Sequence, residues 1–257
     1  MEDDYMFQVE KQQKILNYVN KAKKATVIEL SDFLGVSKVT IRRYLGELER
    51  KGLIVKIHGG ALSLDNELSH DIPYASKKEL HIIEKEKIGI AAAKLIEDGD
   101  VIILDAGSTT FEIAQHIENK NVTVITNDVK IAFELSPKPN VTLIITGGLV
   151  QKNVYTVIGS TAESFLSKIH VDKVFLGADA INLEYGVTNR TLEEAAIKKA
   201  MLKAAEKSIL VTDFSKMNNK ALADVCKLDG INIIVIDHID DEYRNAFEEK
   251  NVAIILA

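Results

Sequence analysis

The chain has 257 residues, 46 % hydrophobic and 27 % charged, with three Pro and one Cys. That length suits two domains better than one core, and the composition excludes collagen-like and wholly disordered chains. The formal net charge of -6 excludes a uniformly basic nucleic-acid coat,.

The first twenty residues carry Glu2, Asp3, Asp4, Gln8, Glu10, Gln12 and Gln13 where a signal peptide needs an apolar run,. No long apolar stretch follows, so a cytoplasmic protein with no membrane partner is expected. From Met6 to Val19, the residues Val9, Ile15, Leu16 and Val19 recur at three- and four-residue steps, which predicts an amphipathic helix,. Thr26 followed by Glu29 is a capping box opening a short helix through Ile28, Leu30, Phe33 and Leu34, and Gly35 ends it. Ser37 is placed to cap a third helix, running through Ile41, Leu45 and Leu48 to Gly52. Those three apolar residues face the first two helices and leave Lys38, Val39, Thr40, Arg42 and Arg43 outside. Leu53 to Leu62 holds two β-prone runs around a Gly59-Gly60 turn, a hairpin placing Lys56 and His58 near a nucleic-acid backbone. Residues 10–62 hold 11 Lys and Arg against 5 Asp and Glu. Counting the three acids at the start, residues 1–62 carry net +3 and residues 63–257 carry -9.

A basic helix on a small helical head suits the major groove of DNA, which is about 12 Å wide and admits one helix. Arg reads guanine through its planar fork, while Lys and the helix dipole fix the phosphate register. The DNA-binding candidates are therefore Ser37, Lys38, Thr40, Arg42, Arg43, Lys56 and His58. On spacing alone, a small helical bundle with a solvated basic face competes with this reading. The stretch from Ile15 to Ala61 is more specific, above all Leu30-x-x-x-Leu34-Gly35-Val36-Ser37-x-x-Thr40-Ile41-Arg42-Arg43-x-Leu45-x-x-Leu48 and His58-Gly59-Gly60-Ala61. It closely resembles the DNA-binding segment of the DeoR family of bacterial transcription regulators. Tyr44 stands where that family commonly has Asp, and Lys56 where it commonly has Arg, which bears on the operator read.

Residues 65–83 have no sustained period and are expected to be a linker between a winged helix-turn-helix domain over 1–64 and a larger domain over 84–257. In that larger domain a helix through Ile88, Ala91, Ala92 and Leu95 precedes a strand over 101–104 and a helix from about 109 to 116. Strands follow near 122–126, 141–145, 174–176, 209–211 and 233–236. Continuous β-branched runs signal strands buried on both faces, so the fold class is α/β with a Rossmann-like, mostly parallel sheet.

Ligands in such sheets lie at the carboxyl ends of the strands. Here the strands lead to Asp105-Ala106-Gly107-Ser108-Thr109-Thr110, Thr126-Asn127, Thr146-Gly147-Gly148, Gly177-Ala178-Asp179 and Asp213-x-Ser215-Lys216. Gly107, Ser108, Thr109 and Thr110 have the chemistry of an anion cradle, without the spacing of a dinucleotide site or a P-loop, so no cofactor is indicated. Asp105, Asn127 and Asp179 can meet hydroxyls and Lys216 can supply a cation, which together describe a phosphorylated sugar or polyol, with Gly148 a further effector-binding candidate. These loops, with Gly186-x-Thr188 and Glu194-x-x-x-Lys198, resemble the DeoR effector domain, which is similar to ribose-5-phosphate isomerase and glucosamine-6-phosphate deaminase. The resemblance implies a sensor of phosphorylated sugars.

Glu194 and Lys198, four apart, read as an ordinary surface ion pair. Cys226 and the scattered histidines read as packing or surface residues, and no metal ligand set is recognised. The function that follows is a non-enzymatic regulator binding double-stranded operator DNA, a repressor of a sugar operon released by a phosphorylated sugar. It is expected to act as a homo-oligomer, a dimer or tetramer, since one reading helix covers one half-site. The rivals are an isomerase or deaminase with an appended DNA-binding head, and an architectural DNA binder with no ligand.

Overall fold

A computed structural model describes residues 2–50, 53–63, 81–118, 121–152 and 154–257, with residues 2–9 described as backbone alone. The chain divides into two units, Met1–Leu80 and His81–Ala257.

The first unit runs α1 (Glu2–Ala22), β1 (Lys24–Thr26), α2 (Val27–Leu34), α3 (Lys38–Arg50), β2 (Ile54–Ile57) and β3 (Gly60–Ser63). The capping box forms as expected: Glu29 N–H donates to Thr26 Oγ1 at 3.1 Å, and Thr26 N–H donates to Glu29 Oε2 at 2.7 Å. Gly35, at φ 62°, closes α2 in the left-handed conformation,. Thr40 N–H donates to Ser37 Oγ at 3.2 Å, the predicted cap of α3. Ile15, Val19, Leu30, Ile41, Tyr44, Leu45 and Leu48 form the core beneath the three helices. Two apolar residues of α2 depart from their expected place, since Ile28 and Phe33 are 56 % and 52 % exposed. Phe33 packs on Tyr18 at the surface, ring centroids 4.8 Å apart. The wing also differs. Its turn is His58-Gly59, Gly60 belongs to β3, and β1 adds a third antiparallel strand to give the order β1-β3-β2. Gly60 allows that addition, because a Cβ there would stand 2.2 Å from the Ala25 carbonyl oxygen. The expected end of the third helix at Gly52, and most of the expected linker, lie outside the described residues.

The second unit opens with α4 (Ile82–Ala93), two residues ahead of the boundary read from the sequence. It continues through β4 (Val101–Leu104), α5 (Ser108–Gln115), β5 (Val122–Thr126), α6 (Val129–Leu135), β6 (Val141–Ile145), β7 (Leu149–Val150), β8 (Val157–Ile158) and α7 (Ser160–Leu166). Then come β9 (Val171–Leu176), β10 (Ala180–Asn182), β11 (Gly186–Asn189), α8 (Leu192–Ala204), β12 (Ala205–Thr212), β13 (Ala223–Cys226), β14 (Ile233–Ile236), α9 (Asp241–Glu249) and β15 (Ala253–Leu256). Seven strands make one sheet in the order β15-β14-β12-β9-β4-β5-β6, every neighbouring pair parallel. The expected Rossmann-like α/β sheet is thus what the chain forms. The β-branched runs of β4, β9 and β12 are buried on both faces, as their composition requires,. β6 is only half-buried because it is an edge strand. The short strands β10, β11 and β13 form a separate antiparallel sheet.

From β4 the chain adds β5 and β6 on one side, then crosses to β9 and adds β12, β14 and β15 on the other. The strand order reverses between β4 and β9. In open parallel sheets the crevice at the carboxyl ends beside that reversal is where ligands sit.

Candidate DNA-binding face and ligand crevice

In the first unit, burial of Ile41, Tyr44, Leu45 and Leu48 fixes the rotation of α3 and leaves Lys38, Val39, Arg42 and Arg43 exposed. Thr40 is half-buried, and its hydroxyl lies 2.9 Å from that of Ser37, so both side chains belong to the first turn of α3. The Arg43 guanidinium rests over the Tyr44 ring at 5.3 Å, which restrains a long side chain before it meets any partner. Lys56 and His58 are exposed on the wing and share a groove with Arg42, Leu45 and Glu49. Of the basic candidates read from the sequence, Arg42, Lys56 and His58 therefore share one groove between α3 and the wing, while Lys38 and Arg43 are exposed elsewhere on α3. Among the described residues, Glu49 is the one acid lining that groove.

In the second unit, the reversal between β4 and β9 carries a buried ion pair. Asp105, directly after β4, is 1 % exposed and accepts from Lys198 Nζ through Oδ2. The same oxygen accepts the Gly177 N–H at 3.0 Å, and Lys198 Nζ donates to the Gly177 carbonyl at 3.0 Å. Lys198, at 5 % exposure, is thus no surface residue, and the expected Glu194–Lys198 surface pair is corrected. The helical step of four is real, but α8 turns that face inward along Ala195, Lys198 and Met201. Burial pulls the Lys198 ammonium down, and Asp105, Glu194 and Asp179 outweigh it, so its pKa is raised and it stays charged,.

Asp179, after β9, faces Arg190 with Oδ1 to Nη1 at 3.2 Å, both residues being buried. Arg190 follows β11 and has its Nε and Nη1 without a hydrogen-bond acceptor. Glu194 accepts from the Asn189 side-chain amide. On the other side of the reversal, Asn127 is 1 % exposed, with Nδ2 donating to the Val157 carbonyl at 3.3 Å and Oδ1 unpartnered. Asp128, 0 % exposed, caps α6 by accepting from Lys130 N–H at 2.7 Å and Ile131 N–H at 3.1 Å through Oδ1, while Oδ2 has no partner. Burial, with Asp105 nearby, pushes the Asp128 carboxyl up to about 6,.

The Gly107 to Thr110 segment forms the start of α5, as an anion cradle requires,. Gly107 and Thr109 are half-exposed and Ser108 is buried. Thr110 faces inward and donates to the Gly107 carbonyl at 3.0 Å, so its hydroxyl shapes the turn. Gly148 is exposed, and a Cβ there would meet the Ile158 carbonyl oxygen at 2.6 Å, so its backbone serves the approach to β8. Thr146 beside it is buried with its hydroxyl unpartnered. Lys216, half-exposed, faces the buried Asp213 after β12. Burial raises the Asp213 carboxyl, but Lys216 and the buried Lys85 of α4 outweigh it and hold its pKa low.

The structure brings Asp105, Asp179, Glu194 and Lys198 together by charge, sets Asp128 against Gly107 and Asp105, and sets Lys216 with Asp213 and Lys85. Sequence reasoning missed Asp128, Arg190 and Lys85. Asp128 carried one signal, an Asp directly ahead of a helical period after a strand. Burial pushes the Cys226 thiol up to about 11, so it is protonated and unreactive at neutral pH,. No described helix is long and apolar enough to cross a membrane.

Residues 11–67 match the family model of the DeoR-like helix-turn-helix domain, and residues 80–238 match that of the DeoR C terminal sensor domain. The chain is 35 % identical over 250 residues to the uncharacterized HTH-type transcriptional regulator YulB of Bacillus subtilis (strain 168), covering 97 % of this chain and 96 % of that protein. It is 32 % identical over 237 residues to the HTH-type transcriptional repressor GlcR of the same organism, covering 92 % and 91 %. Among solved structures, ribose 5-phosphate isomerase A from Methanocaldococcus jannaschii aligns over 52 % of this chain and 53 % of its own, with 21 % identity and a TM-score of 0.38.

Proposed function

The chain belongs to the DeoR family of DNA-binding transcription regulators, and from that premise we propose that it represses a sugar-metabolism operon and lets go when a phosphorylated sugar fills the crevice between β4 and β9. The observation that carries the ligand half is the Asp105–Lys198 pair at the strand reversal, bordered by the unpartnered buried atoms Asn127 Oδ1 and Asp128 Oδ2. A purely structural core gains nothing from such groups, because each one costs about 1–3 kcal/mol when left unsatisfied. A polyhydroxylated ligand supplies the missing partners.

In this reading the phosphoryl group docks on the start of α5 at Gly107, Ser108, Thr109 and Thr110, with Lys216 as a second source of positive charge. Asp105, Asn127, Gly148 and Asp179 frame the sugar. Ser37, Lys38, Thr40, Arg42, Arg43, Lys56 and His58 meet DNA, the arginines at base edges and the rest largely at phosphates. The protein acts as a dimer or tetramer, because paired heads about 34–36 Å apart match two half-sites. Release is linkage: a ligand preferring the arrangement that cannot hold the operator lowers operator affinity by that preference, typically about 1–3 kcal/mol. The relative GlcR is a repressor by name, which supports the sign.

Thermal shift against a panel of sugar phosphates, followed by operator release with each hit, tests the proposal. Stabilisation by at least one member is expected. No stabilisation by any member refutes the ligand half and favours an architectural DNA binder. Turnover of ribose 5-phosphate at ordinary enzyme rates moves the assignment to an isomerase or deaminase.

A further inference from the structure

Asp128 is a peculiar neighbour for an anion cradle. Its carboxylate is fully buried, one oxygen is spent on capping α6, and the other has no partner. The Gly107 amide, at the start of α5, stands close enough to draw its pKa down, yet makes no hydrogen bond to Oδ2. A phosphoryl group received by the first amides of α5 therefore arrives beside a carboxylate.

We propose that Asp128 takes up a proton as an anion docks at the N-terminus of α5, and that its carboxyl O–H then donates to the bound phosphoryl group. The inference rests on the ligand reading of the same crevice. The proton comes from solvent and ends on Asp128 Oδ2, so the unpartnered acceptor becomes a donor facing the anion. A second negative group beside a buried carboxylate disfavours its charged form, and the group already close to neutrality gives way. The free carboxyl titrates near 6 because burial raises it and Asp105 adds to the rise. Among the described residues, no other group facing it replaces this role. Asp105 is held by Lys198 of α8. Lys130, on the same helix as Asp128, lies over the Tyr155 ring at 4.3 Å. Glu112, the one titratable residue of α5, has its Cβ against Gly89 of α4. The strands β5 and β6 carry no titratable side chain.

The probe is sulfate, a dianion that does not itself titrate between pH 5.5 and 8. Binding to the full chain is followed at the backbone amides of Gly107, Ser108 and Thr109 by NMR, which separates this site from the basic head. A rise of about one pKa unit on binding makes sulfate bind about five- to tenfold more tightly at pH 5.5 than at pH 8. Calorimetry in two buffers of different ionisation heat should show proton uptake near pH 6.5. Asp128→Asn keeps the cap of α6, since Asn caps as well as Asp, and should bind sulfate with one affinity across the whole range and no proton uptake. Amides that shift with the same affinity at both pH values in the wild type overturn the inference while leaving the ligand reading intact. Looser binding at pH 5.5, with Asp128→Asn weaker still, overturns it in favour of a carboxylate that accepts from a sugar hydroxyl. If the three amides do not move and no sugar phosphate stabilises the protein, the ligand reading fails and the inference with it.

Discussion

Replacing Lys198 by Met removes a charge and keeps the length of the stem. In the wild type the ammonium lies between Asp105 Oδ2 and the Gly177 carbonyl, at 5 % exposure. Without it Asp105, 1 % exposed, keeps only the Gly177 N–H at 3.0 Å. Removing one partner of a buried pair costs about 3–5 kcal/mol, because the remaining charge is uncompensated. An exposed Glu–Lys pair at the same helical spacing is worth only about 0.3–0.5 kcal/mol. Urea unfolding of the full chain, read from the transition of the larger unit, separates the two by nearly tenfold. Adding Asp105→Leu should recover most of the loss, since replacing both members by apolar groups is often close to neutral. A cost under about 1 kcal/mol refutes the pairing.

Arg42→Ala and Arg43→Ala should each weaken binding to duplex DNA. If the lost contact is to phosphate, the slope of log K against log salt falls by about 0.9 for each; fluorescence anisotropy measures both, and unchanged binding in both variants means that α3 has another role. Asp128→Asn should raise stability at pH 8. The wild-type carboxyl, pushed by burial from its ordinary range up to about 6, contributes stability that is present below its unfolded pKa and lost as pH rises through 6. The Asn variant therefore gains up to about 3 kcal/mol at pH 8 and nothing near pH 4, read as the melting-temperature difference at the two pH values. Equal differences at both would mean that the buried carboxyl titrates normally.

The head was legible because its determinants act over a few residues. A threonine and a glutamate three apart, a glycine at a helix end and a serine before the next helix specify their own hydrogen bonds, and each formed as read. The strands of the large sheet were legible for a related reason, since a run such as Val101-Ile102-Ile103-Leu104 suits little besides burial on both faces,. β1 was not legible. Its three residues pair with Leu62, Ala61 and Gly60, and nothing in Lys24-Ala25-Thr26 announces a partner so far along the chain.

Lys198 shows where this kind of reading fails. The step from Glu194 to Lys198 establishes that both lie on one face of α8, but a period says nothing about which face the protein buries. The neighbours held the answer: Ala195, three residues before, and Met201, three residues after, put Lys198 inside an apolar stripe. A lysine there must either escape along its stem or meet a buried acid. That acid is Asp105, 93 residues earlier in the chain. Only the crossing from β4 to β9 brings the two together, and the same crossing makes the crevice. The pairing of the charge and the location of the proposed ligand crevice are therefore one consequence of strand order. Neither could be read before that order was known.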